Sequence, residues 1–277
     1  MDNKTNTLHA KMPKIIYGTA WKKERTRQLV MEALKAGFRG IDTACQPKHY
    51  AEPLVGDALK LSDIKREELF IQTKYTPLDG QDPNTVPYDK KASLSEQVAE
   101  SFEVSKKNLK TSYIDSLLLH SPLFPFSNLM SVWHAMETLY EQGEVLQLGI
   151  SNCYDMEILK RLYKEAHIKP SIVQNRFYAQ SDYDMELREW CEKHEISYQS
   201  FWSLTANPHI LGSDTMIKLA IKYRKSEAQI LFSYLMSQGI TPLSGTTSID
   251  HMIDDLEAEE ITLEFEEINQ ISTLLQM

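Results

Sequence analysis

The sequence predicts an α/β protein built as one (β/α)8 barrel. Short apolar segments alternate with longer amphipathic segments along the whole chain of 277 residues. The apolar segments are nearly continuous in hydrophobicity, which is typical of parallel strands buried on both faces. Eight such strands fit the usual size of a single barrel, about 250 residues. We therefore treat residues 1–277 as one domain, with its active site at the C-terminal ends of the strands.

The strands and helices follow one another in a regular order. The predicted strands are 14–20, 38–44, 69–75, 112–120, 145–151, 171–177, 196–201 and 239–245. Helical patterns cover 24–36, 52–61, 93–110, 128–142, 155–166, 183–194, 214–238 (long enough for two helices) and 264–275. Each link between strands can hold the crossover helix that parallel pairing needs. A doubly wound open sheet is the alternative, but its GxGxxG phosphate loop does not occur here.

Composition narrows the class of protein. With 42% hydrophobic and 25% charged residues, the chain resembles ordinary soluble globular proteins. A net charge of −9 and a pI near 5.4 argue against nucleic acid or an anionic membrane as the main partner. The three cysteines lie far apart and have no metal-ligand spacing, so we expect no disulfide, no metal and a reducing cytoplasm. Residues 1–14 lack the apolar core of a signal peptide, and no apolar run is long enough to span a membrane.

Several hydrophobic strands end in an ionisable or amide side chain. Asp42, Lys74 and His120 end the second, third and fourth predicted strands. Each has an ordinary structural interpretation when taken alone: a helix cap, a surface cation and a hydrogen-bonded core histidine. Because all strand ends meet at one rim of a barrel, their joint placement favours a functional site. The other ends contribute Gly18, Thr19, Trp21, Ser151, Asn152, Gln174, Asn175, Phe201, Ser244, Gly245, Thr246 and Thr247.

These residue types suit proton donation to a carbonyl oxygen. A free tyrosine, with a pKa of about 10, is a poor acid at neutral pH. A neighbouring ammonium group favours the phenolate and lowers that pKa. A carboxylate in turn offsets the desolvation of the lysine. We therefore expect Asp42 to brace Lys74, Lys74 to lower the pKa of Tyr50, and His120 to hold the carbonyl oxygen near the phenol.

The order of the motifs resembles that of the aldo-keto reductase family, NAD(P)H-dependent enzymes built on a (β/α)8 barrel. The motifs are GFRGIDTA with VGDAL, LFIQTK, YIDSLLLH, LGISN, IVQN and PLSGTTS, and they cover nearly the whole chain. The resemblance implies a catalytic tetrad of Asp42, Tyr50, Lys74 and His120. It also implies reduction of a small aldehyde or ketone by hydride transfer from NADPH, with Tyr50 as the general acid. At the family level the protein is expected to be a monomer.

The resemblance also assigns a cofactor site. Ser151, Asn152 and the pair Gln174-Asn175 match positions that hold the nicotinamide carboxamide, and Phe201, rather than Trp202, matches the aromatic residue that stacks on the ring. Gln174-Asn175 reverses the usual Asn-Gln order, and we expect Asn175 to face the cofactor. The rest of the assigned site is Gly18, Thr19, Trp21, Asp42, Ser244, Gly245, Thr246, Thr247, His251 and Asp255.

The loop that carries the tyrosine departs from the family pattern. It is longer and reads His49-Tyr50-Ala51-Glu52, so counting back from Val55-Gly56 reaches His49. We expect Tyr50 to be the proton donor, because an imidazole cannot replace a phenol tuned by lysine without a change of chemistry. His49 is the alternative.

The choice of nicotinamide cofactor depends on the segment after the last strand. NADPH-preferring relatives carry a lysine and an arginine there for the 2′-phosphate, and Gly245 and His251 fall at these positions. Without a fixed positive charge, and with Asp254 and Asp255 nearby, we expect a weak NADPH preference, with NADH usable. A histidine gains charge as the pH falls towards about 6, so NADPH affinity should then rise. The alternative is a Lys or Arg that reaches the phosphate from another loop.

Other interpretations stay open from the sequence. A cofactor-binding regulatory barrel without turnover is the main alternative function, and an isomerase or lyase acting on a sugar phosphate is a third. The long loop 77–93 and the segment 120–126 supply Tyr88, Phe124 and Phe126 either as an apolar substrate wall or as packing onto the barrel. The chain ends soon after its last predicted helix, so we expect a more open pocket than in relatives with a long C-terminal loop.

Overall fold

Eight parallel strands close into a barrel in the computed structural model, which describes residues 11–276. Each strand pairs with the next in the chain, and the eighth pairs with the first. The strands are β1 (Ile16–Gly18), β2 (Gly40–Asp42), β3 (Phe70–Tyr75), β4 (Ser116–Leu119), β5 (Leu148–Ser151), β6 (Ile172–Arg176), β7 (Ser197–Phe201) and β8 (Ile240–Ser244). The predicted barrel and its eight strands are confirmed. The expectation about a signal peptide concerns residues 1–14, of which 1–10 lie outside the described residues.

Helices surround this barrel. They are α1 (Thr26–Ala36), α2 (Glu52–Leu61), α3 (Leu94–Leu109), α4 (Phe126–Glu141), α5 (Met156–Glu165), α6 (Met185–Lys193), α7 (Pro208–Leu211), α8 (Asp214–Tyr223), α9 (Glu227–Ser237), α10 (Ile249–Glu257) and α11 (Phe265–Leu274). The predicted stretch 214–238 does divide into two helices, and the one-turn α7 is too short to show an amphipathic period. No helix among residues 11–276 combines the length and the apolar character needed to span a membrane.

Local sequence explains how the helices next to the site begin and pack. Ser93 and Glu96 form a reciprocal capping box at the start of α3, which satisfies two backbone N–H groups that a helix start leaves free. Gly56 lies where α2 crosses α3, and a Cβ there would come within 1.9 Å of the Asn108 carbonyl oxygen. Only glycine permits this close approach without movement of the backbone. The two helices are thus fixed behind the strands that carry Asp42 and Lys74.

The interior of the barrel changes from apolar to polar towards the C-terminal rim. Ile16, Phe70, Leu118 and Ile172 form a buried apolar layer at the bottom. Because side chains alternate along a strand, the residues two positions later lie on the same inner face. These residues are Gly18, Gln72, His120 and Gln174. The apolar layer therefore forms a floor, and the polar layer lies between it and the mouth of the barrel.

Candidate active site

A cavity of about 820 Å³ opens at the C-terminal rim of the strands. Its size is in the range usual for small-molecule sites, about 300–1,000 Å³. Residues predicted for the site that line it are Gly18, Trp21, Asp42, Tyr50, His120, Ser151, Asn152, Gln174, Phe201, Ser244, Gly245, Thr246, His251 and Asp255. Lining residues that the sequence argument did not assign to the cofactor or the tetrad include Lys22, His49, Arg176, Trp202, Ser226, Ala228 and Asp254. The strand ends therefore converge on one cavity.

A buried ion pair lies at the edge of this cavity. Lys74 and Asp42 are 1% and 2% exposed, and the Lys74 ammonium donates to both carboxylate oxygens, at 2.7 and 2.6 Å. The ammonium also donates to the Thr43 carbonyl at 2.9 Å. Burying two charges costs free energy unless further hydrogen bonds satisfy them, and these bonds meet that condition. The predicted contact between Asp42 and Lys74 is present.

Three glutamines join this aspartate in what we call the glutamine network: Asp42, Gln72, Gln174 and Gln199. The Nε2 atoms of Gln72 and Gln174 donate to Asp42 Oδ1, at 2.8 and 3.0 Å. The same two atoms lie 2.7 and 2.9 Å from Gln199 Oε1. Sequence reasoning did not single out Gln72 or Gln199. The period of two could have found them, since each precedes by two positions a rim residue, Lys74 or Phe201.

Tyr50, and not His49, lies beside the ion pair. Lys74 Nζ is 5.4 Å from the centroid of the Tyr50 ring, and the ring centroids of Tyr50 and His120 are 6.0 Å apart. His49 instead packs on Trp21, with ring centroids 3.8 Å apart. The hydroxyl of Tyr50 makes no hydrogen bond with residues 11–276, so it is free for a ligand in the cavity. This arrangement agrees with the choice of Tyr50 as the donor, although both residues line the cavity.

The sequence predicted a lowered pKa for Tyr50, but the pKa of Tyr50 is raised above its ordinary value. Burial is the larger cause, and the carboxylate of Asp42 is the second. Burial also lowers the pKa of Lys74, against the opposing effect of Asp42. The prediction was wrong because Lys74 is paired within hydrogen-bond distance, so the pair presents little net positive charge to the phenol. Tyr50 is therefore held in its protonated form.

His120 is held neutral. Burial, with the nearby charge of Lys74 as the second cause, lowers its pKa to about 3. Its Nδ1 lies 2.6 Å from the Thr76 hydroxyl. When Nδ1 accepts that hydroxyl proton, Nε2 carries the ring proton and can donate to a ligand in the cavity. His120 can thus orient a carbonyl oxygen without taking up charge.

The amide residues of β6 point to opposite sides of the strand. Gln174 lines the cavity, whereas Asn175 is fully buried on the outer face. Asn175 accepts from the Cys153 N–H at 2.9 Å and donates to the Cys153 carbonyl at 2.8 Å and to Asp184 at 2.7 Å. The expectation that Asn175 faces the cofactor is therefore wrong. Because side chains alternate along a strand, only one of these two neighbours can face the cavity, and in β6 it is Gln174.

Two threonines also lie outside the lining of the cavity. Thr19 is fully buried, and its hydroxyl donates to the backbone carbonyl of Asp42 at 2.8 Å. It fixes the end of β2 and does not face the cavity. Thr247 is exposed beyond the lining residues, unlike its neighbour Thr246. The assignments of Thr19 and Thr247 as direct cofactor ligands are therefore not supported by their positions.

A lysine from the first βα loop reaches the segment after β8. The Lys22 ammonium donates to the Gly245 carbonyl, and a Cβ on Gly245 would lie 3.8 Å from it. The segment after β8 carries no lysine or arginine of its own, but Lys22 brings a positive charge to Gly245. This agrees with the alternative that a cation reaches this segment from another loop. Asp255 is buried and accepts from the Ser244 hydroxyl at 2.6 Å, and burial raises its pKa to about 6.

The aromatic residues of the long loop do not form a substrate wall. Tyr88 is buried, and its hydroxyl donates to the Thr76 carbonyl at 2.7 Å. Gln81 ties the same loop to the Cys45 carbonyl at 2.9 Å. Phe124 is exposed, and neither it nor Phe126 lines the cavity. For Tyr88 the structure supports packing of the loop onto the barrel, whereas the exposed Phe124 fits neither interpretation.

A closed parallel barrel with its cavity at the C-terminal rim of the strands defines the class of (β/α)8-barrel enzymes, and comparison with known proteins gives the family. A model described as the aldo/keto reductase family matches residues 14–276. The glyoxal reductase of Bacillus subtilis is 29% identical over 88% of this chain and 82% of its own length. The NADPH-dependent alpha-keto amide reductase of Saccharomyces cerevisiae is 28% identical over 93% of this chain and 84% of its own length.

A solved structure agrees with this assignment. An aldo-keto reductase from a deep-sea metagenome library of the Medee basin superposes with a TM-score of 0.83, at 30% identity, over 95% of this chain and 92% of its own. The chain belongs to the aldo/keto reductase family, and it is an NAD(P)H-dependent carbonyl reductase. A regulatory barrel without turnover is not favoured.

Proposed function

We propose that this enzyme reduces small aldehydes and ketones with NADPH, and that Tyr50 donates the proton. One observation carries the assignment of Tyr50. Its ring lies between Lys74 and His120, at 5.4 Å from the ammonium and 6.0 Å from the imidazole ring, and its hydroxyl has no partner among residues 11–276. The protonated Tyr50, the neutral His120 and the Asp42–Lys74 ion pair therefore lie together on one side of the cavity.

Each residue of the tetrad has a distinct task in this proposal. Bound NADPH supplies the hydride that adds to the carbonyl carbon. His120 donates a hydrogen bond to the carbonyl oxygen and holds it near Tyr50. Tyr50 gives its proton to that oxygen as negative charge develops there. Lys74, fixed by Asp42, stabilises the phenolate that is left behind.

The residues around the cavity fit a dinucleotide. Gln174 Oε1 accepts no hydrogen bond from residues 11–276, so it is available to the N–H donors of a carboxamide. Phe201 lies beside it on β7 and offers a ring for stacking. Ser226 and Ser248 cap the starts of α9 and α10, where backbone N–H groups favour anions such as phosphate. Lys22 adds a positive charge close to these helix starts.

The relatives indicate the size of the substrates. The relatives above are named for glyoxal and an alpha-keto amide, which are small carbonyl compounds. We infer small carbonyl substrates here as well, NADH as a usable second cofactor, and a cytoplasmic monomer.

Substitution of the proton donor tests the proposal. We expect Tyr50→Phe to reduce the turnover of an aldehyde by about 10²–10⁴, the usual contribution of a general acid, while NADPH binding stays intact. Initial rates and NADPH fluorescence titration measure the two effects. Tyr140→Phe, on the outer side of α4, is the matched control and should behave as wild type. An active Tyr50→Phe enzyme together with an inactive His49→Ala enzyme would identify His49 as the donor.

A further inference from the structure

The side chain of one arginine in the cavity makes no hydrogen bond or ion pair with residues 11–276. Arg176 ends β6, two positions beyond Gln174 on the same inner face, and lines the cavity. Its Nε is buried without a hydrogen-bond partner, and no guanidinium N–H donates to any of residues 11–276. The other two half-buried arginines are engaged: Arg66 pairs with Asp115 at 2.6 Å, and Arg188 donates to the Tyr183 carbonyl at 2.9 Å. Buried donors are normally satisfied, so an unsatisfied guanidinium at a cavity indicates a ligand.

Aromatic rings hold this guanidinium in place. Its Cζ lies 4.2 Å from the Trp202 ring centroid and 5.2 Å from that of Tyr178. The Arg176 backbone N–H donates to the Tyr154 hydroxyl at 3.1 Å, which fixes the end of the strand. Contacts with ring faces orient a guanidinium without using its N–H groups. The planar fork of donors therefore stays free for a carboxylate or another oxyanion.

The position of Arg176 favours an anionic group on the substrate over a phosphate of the cofactor. The groups suited to phosphate, Lys22 and the start of α9 at Ser226, follow β1 and precede β8. Arg176 ends β6, and its Cζ lies 6.0 Å from the ring centroid of Phe201, so it lies at the end of the cavity that we propose for the nicotinamide, where the carbonyl is reduced. In the closed order of eight strands, β6 lies opposite β2, whose following loop carries Tyr50. Tyr50 and Arg176 line the same cavity, so a ligand with its carbonyl oxygen at Tyr50 can place a distal group at Arg176.

We propose that Arg176 binds the carboxylate of the substrate and makes the enzyme selective for short oxo acids whose carbonyl and carboxylate lie at opposite ends of the carbon chain. This inference rests on the proposed carbonyl reduction. A 2-oxo acid is less suitable, because its carboxylate is bonded to the carbonyl carbon and would not reach the opposite wall. Arg176 is a specificity-determining residue in this proposal and takes no part in proton transfer.

Paired substrates test the proposal. Succinate semialdehyde carries the distal carboxylate, and butanal has the same chain length without it. For the wild type we expect kcat/KM to be higher for succinate semialdehyde. In Arg176→Gln this kcat/KM should fall about tenfold or more through KM, as loss of a charge-assisted bidentate contact predicts, with butanal unchanged. Arg176→Lys should restore part of the loss, and Arg27→Gln, which removes an exposed arginine of α1, should have no effect.

The alternatives give different results. Equal loss of activity with both aldehydes in Arg176→Gln, or a wild type that does not prefer the acid, would overturn the proposal. Weaker NADPH binding in Arg176→Gln, with the preference for the acid retained, would assign Arg176 to a cofactor phosphate and also overturn it. A wild type that reduces butanal but not the acid would refute the inference and leave the proposed function intact. A wild type that reduces neither would remove both.

Discussion

Tyr50 lies against a buried ion pair that is neutral as a whole. Sequence reasoning expected Lys74 to lower the pKa of the phenol, but Asp42 lies at 2.6 Å from the ammonium and cancels most of its effect. Burial then dominates, and the pKa of Tyr50 is raised. The raised pKa of Tyr50 affects the two directions of the reaction differently. As the proposed donor, Tyr50 is protonated for reduction, whereas the reverse reaction would need a phenolate that the free enzyme does not favour.

The pH dependence of the two directions should therefore differ. Tyr50 keeps its proton up to and beyond about pH 10, the ordinary range of a phenol, and His120, with a pKa of about 3, stays neutral. We expect kcat for carbonyl reduction to be flat between about pH 6 and 9 and alcohol oxidation to accelerate with rising pH. Stopped-flow or steady-state rates in both directions measure this. A reduction rate that declines across that range would mean that the donor ionises near neutrality.

The ion pair itself supports both stability and turnover. In Lys74→Met the Asp42 carboxylate stays buried without its cation, and we expect unfolding free energy to fall by about 3–5 kcal/mol. Turnover should fall severely because the phenolate loses its cation, whereas Asp42→Asn should reduce it less, since the aspartate acts through the lysine. Urea unfolding and initial rates measure the two effects.

A double variant separates stability from catalysis. Lys74→Met with Asp42→Leu removes both charges, and replacement of a buried pair by apolar residues is often neutral for stability. We expect it to recover only part of the lost stability, because Gln72 and Gln174 lose Asp42 as an acceptor, and to recover none of the lost turnover. Recovery of turnover would contradict a direct role of Lys74 in stabilising the phenolate.

At the scale of the single element, β6 shows how strand alternation separates function from structure. Gln174 and Arg176 face the cavity, while Asn175 holds the Cys153 backbone and Asp184 on the outer side. We expect Asn175→Leu to lower the unfolding free energy by about 2 kcal/mol or more, because it leaves buried polar groups unsatisfied, with NADPH affinity of the folded enzyme unchanged. Thermal unfolding and NADPH titration measure this. A specific loss of NADPH affinity with normal stability would return Asn175 to the cofactor site.

The strands and their ends could be predicted because hydrophobic periodicity identifies them directly. Asp42, Lys74 and His120 were found in this way, since a barrel brings such ends together whatever the details of its loops. Lys22 and Arg176 were not found, for different reasons. The path of a loop such as 19–25 leaves no periodic signal. Arg176 does follow the period of two from Gln174, but an arginine at a strand end is also typical of a solvent-exposed position.

At the scale of the whole molecule, the cavity spans the seam where the barrel closes. The Tyr17 hydroxyl donates to the Thr246 carbonyl at 2.9 Å, and the Lys22 ammonium donates to the Gly245 carbonyl. Both bonds join residues more than two hundred positions apart, so the segments that follow the first and last strands build one end of the cavity together. The positive charge there depends on closure of the whole barrel and not on the sequence after β8.

This seam gives a prediction for cofactor choice. Lys22→Met should weaken NADPH binding by about tenfold and NADH binding less, because the 2′-phosphate loses a charge-assisted contact. Below its pKa of about 6 Asp255 loses its negative charge, so the NADPH preference of the wild type should increase as the pH falls from about 8 to below 6. Dissociation constants for both cofactors at two pH values measure this. A preference that is independent of both Lys22 and pH would place the phosphate elsewhere.

The glutamine network connects Gln174, a residue of the cavity wall, with the ion pair beside Tyr50. Gln174, which lines the cavity and which we propose as a contact of the carboxamide, donates to the same Asp42 oxygen that accepts from Lys74. A ligand that draws Gln174 towards itself therefore changes the field at the ion pair and, through it, at Tyr50. Coupling of this kind is reciprocal, so the ionisation of the phenol must change the affinity for the cofactor by the same free energy. If the proposed roles of Gln174 and Tyr50 hold, we expect cofactor affinity and the acidity of the phenol to be thermodynamically linked through β2, β3, β6 and β7.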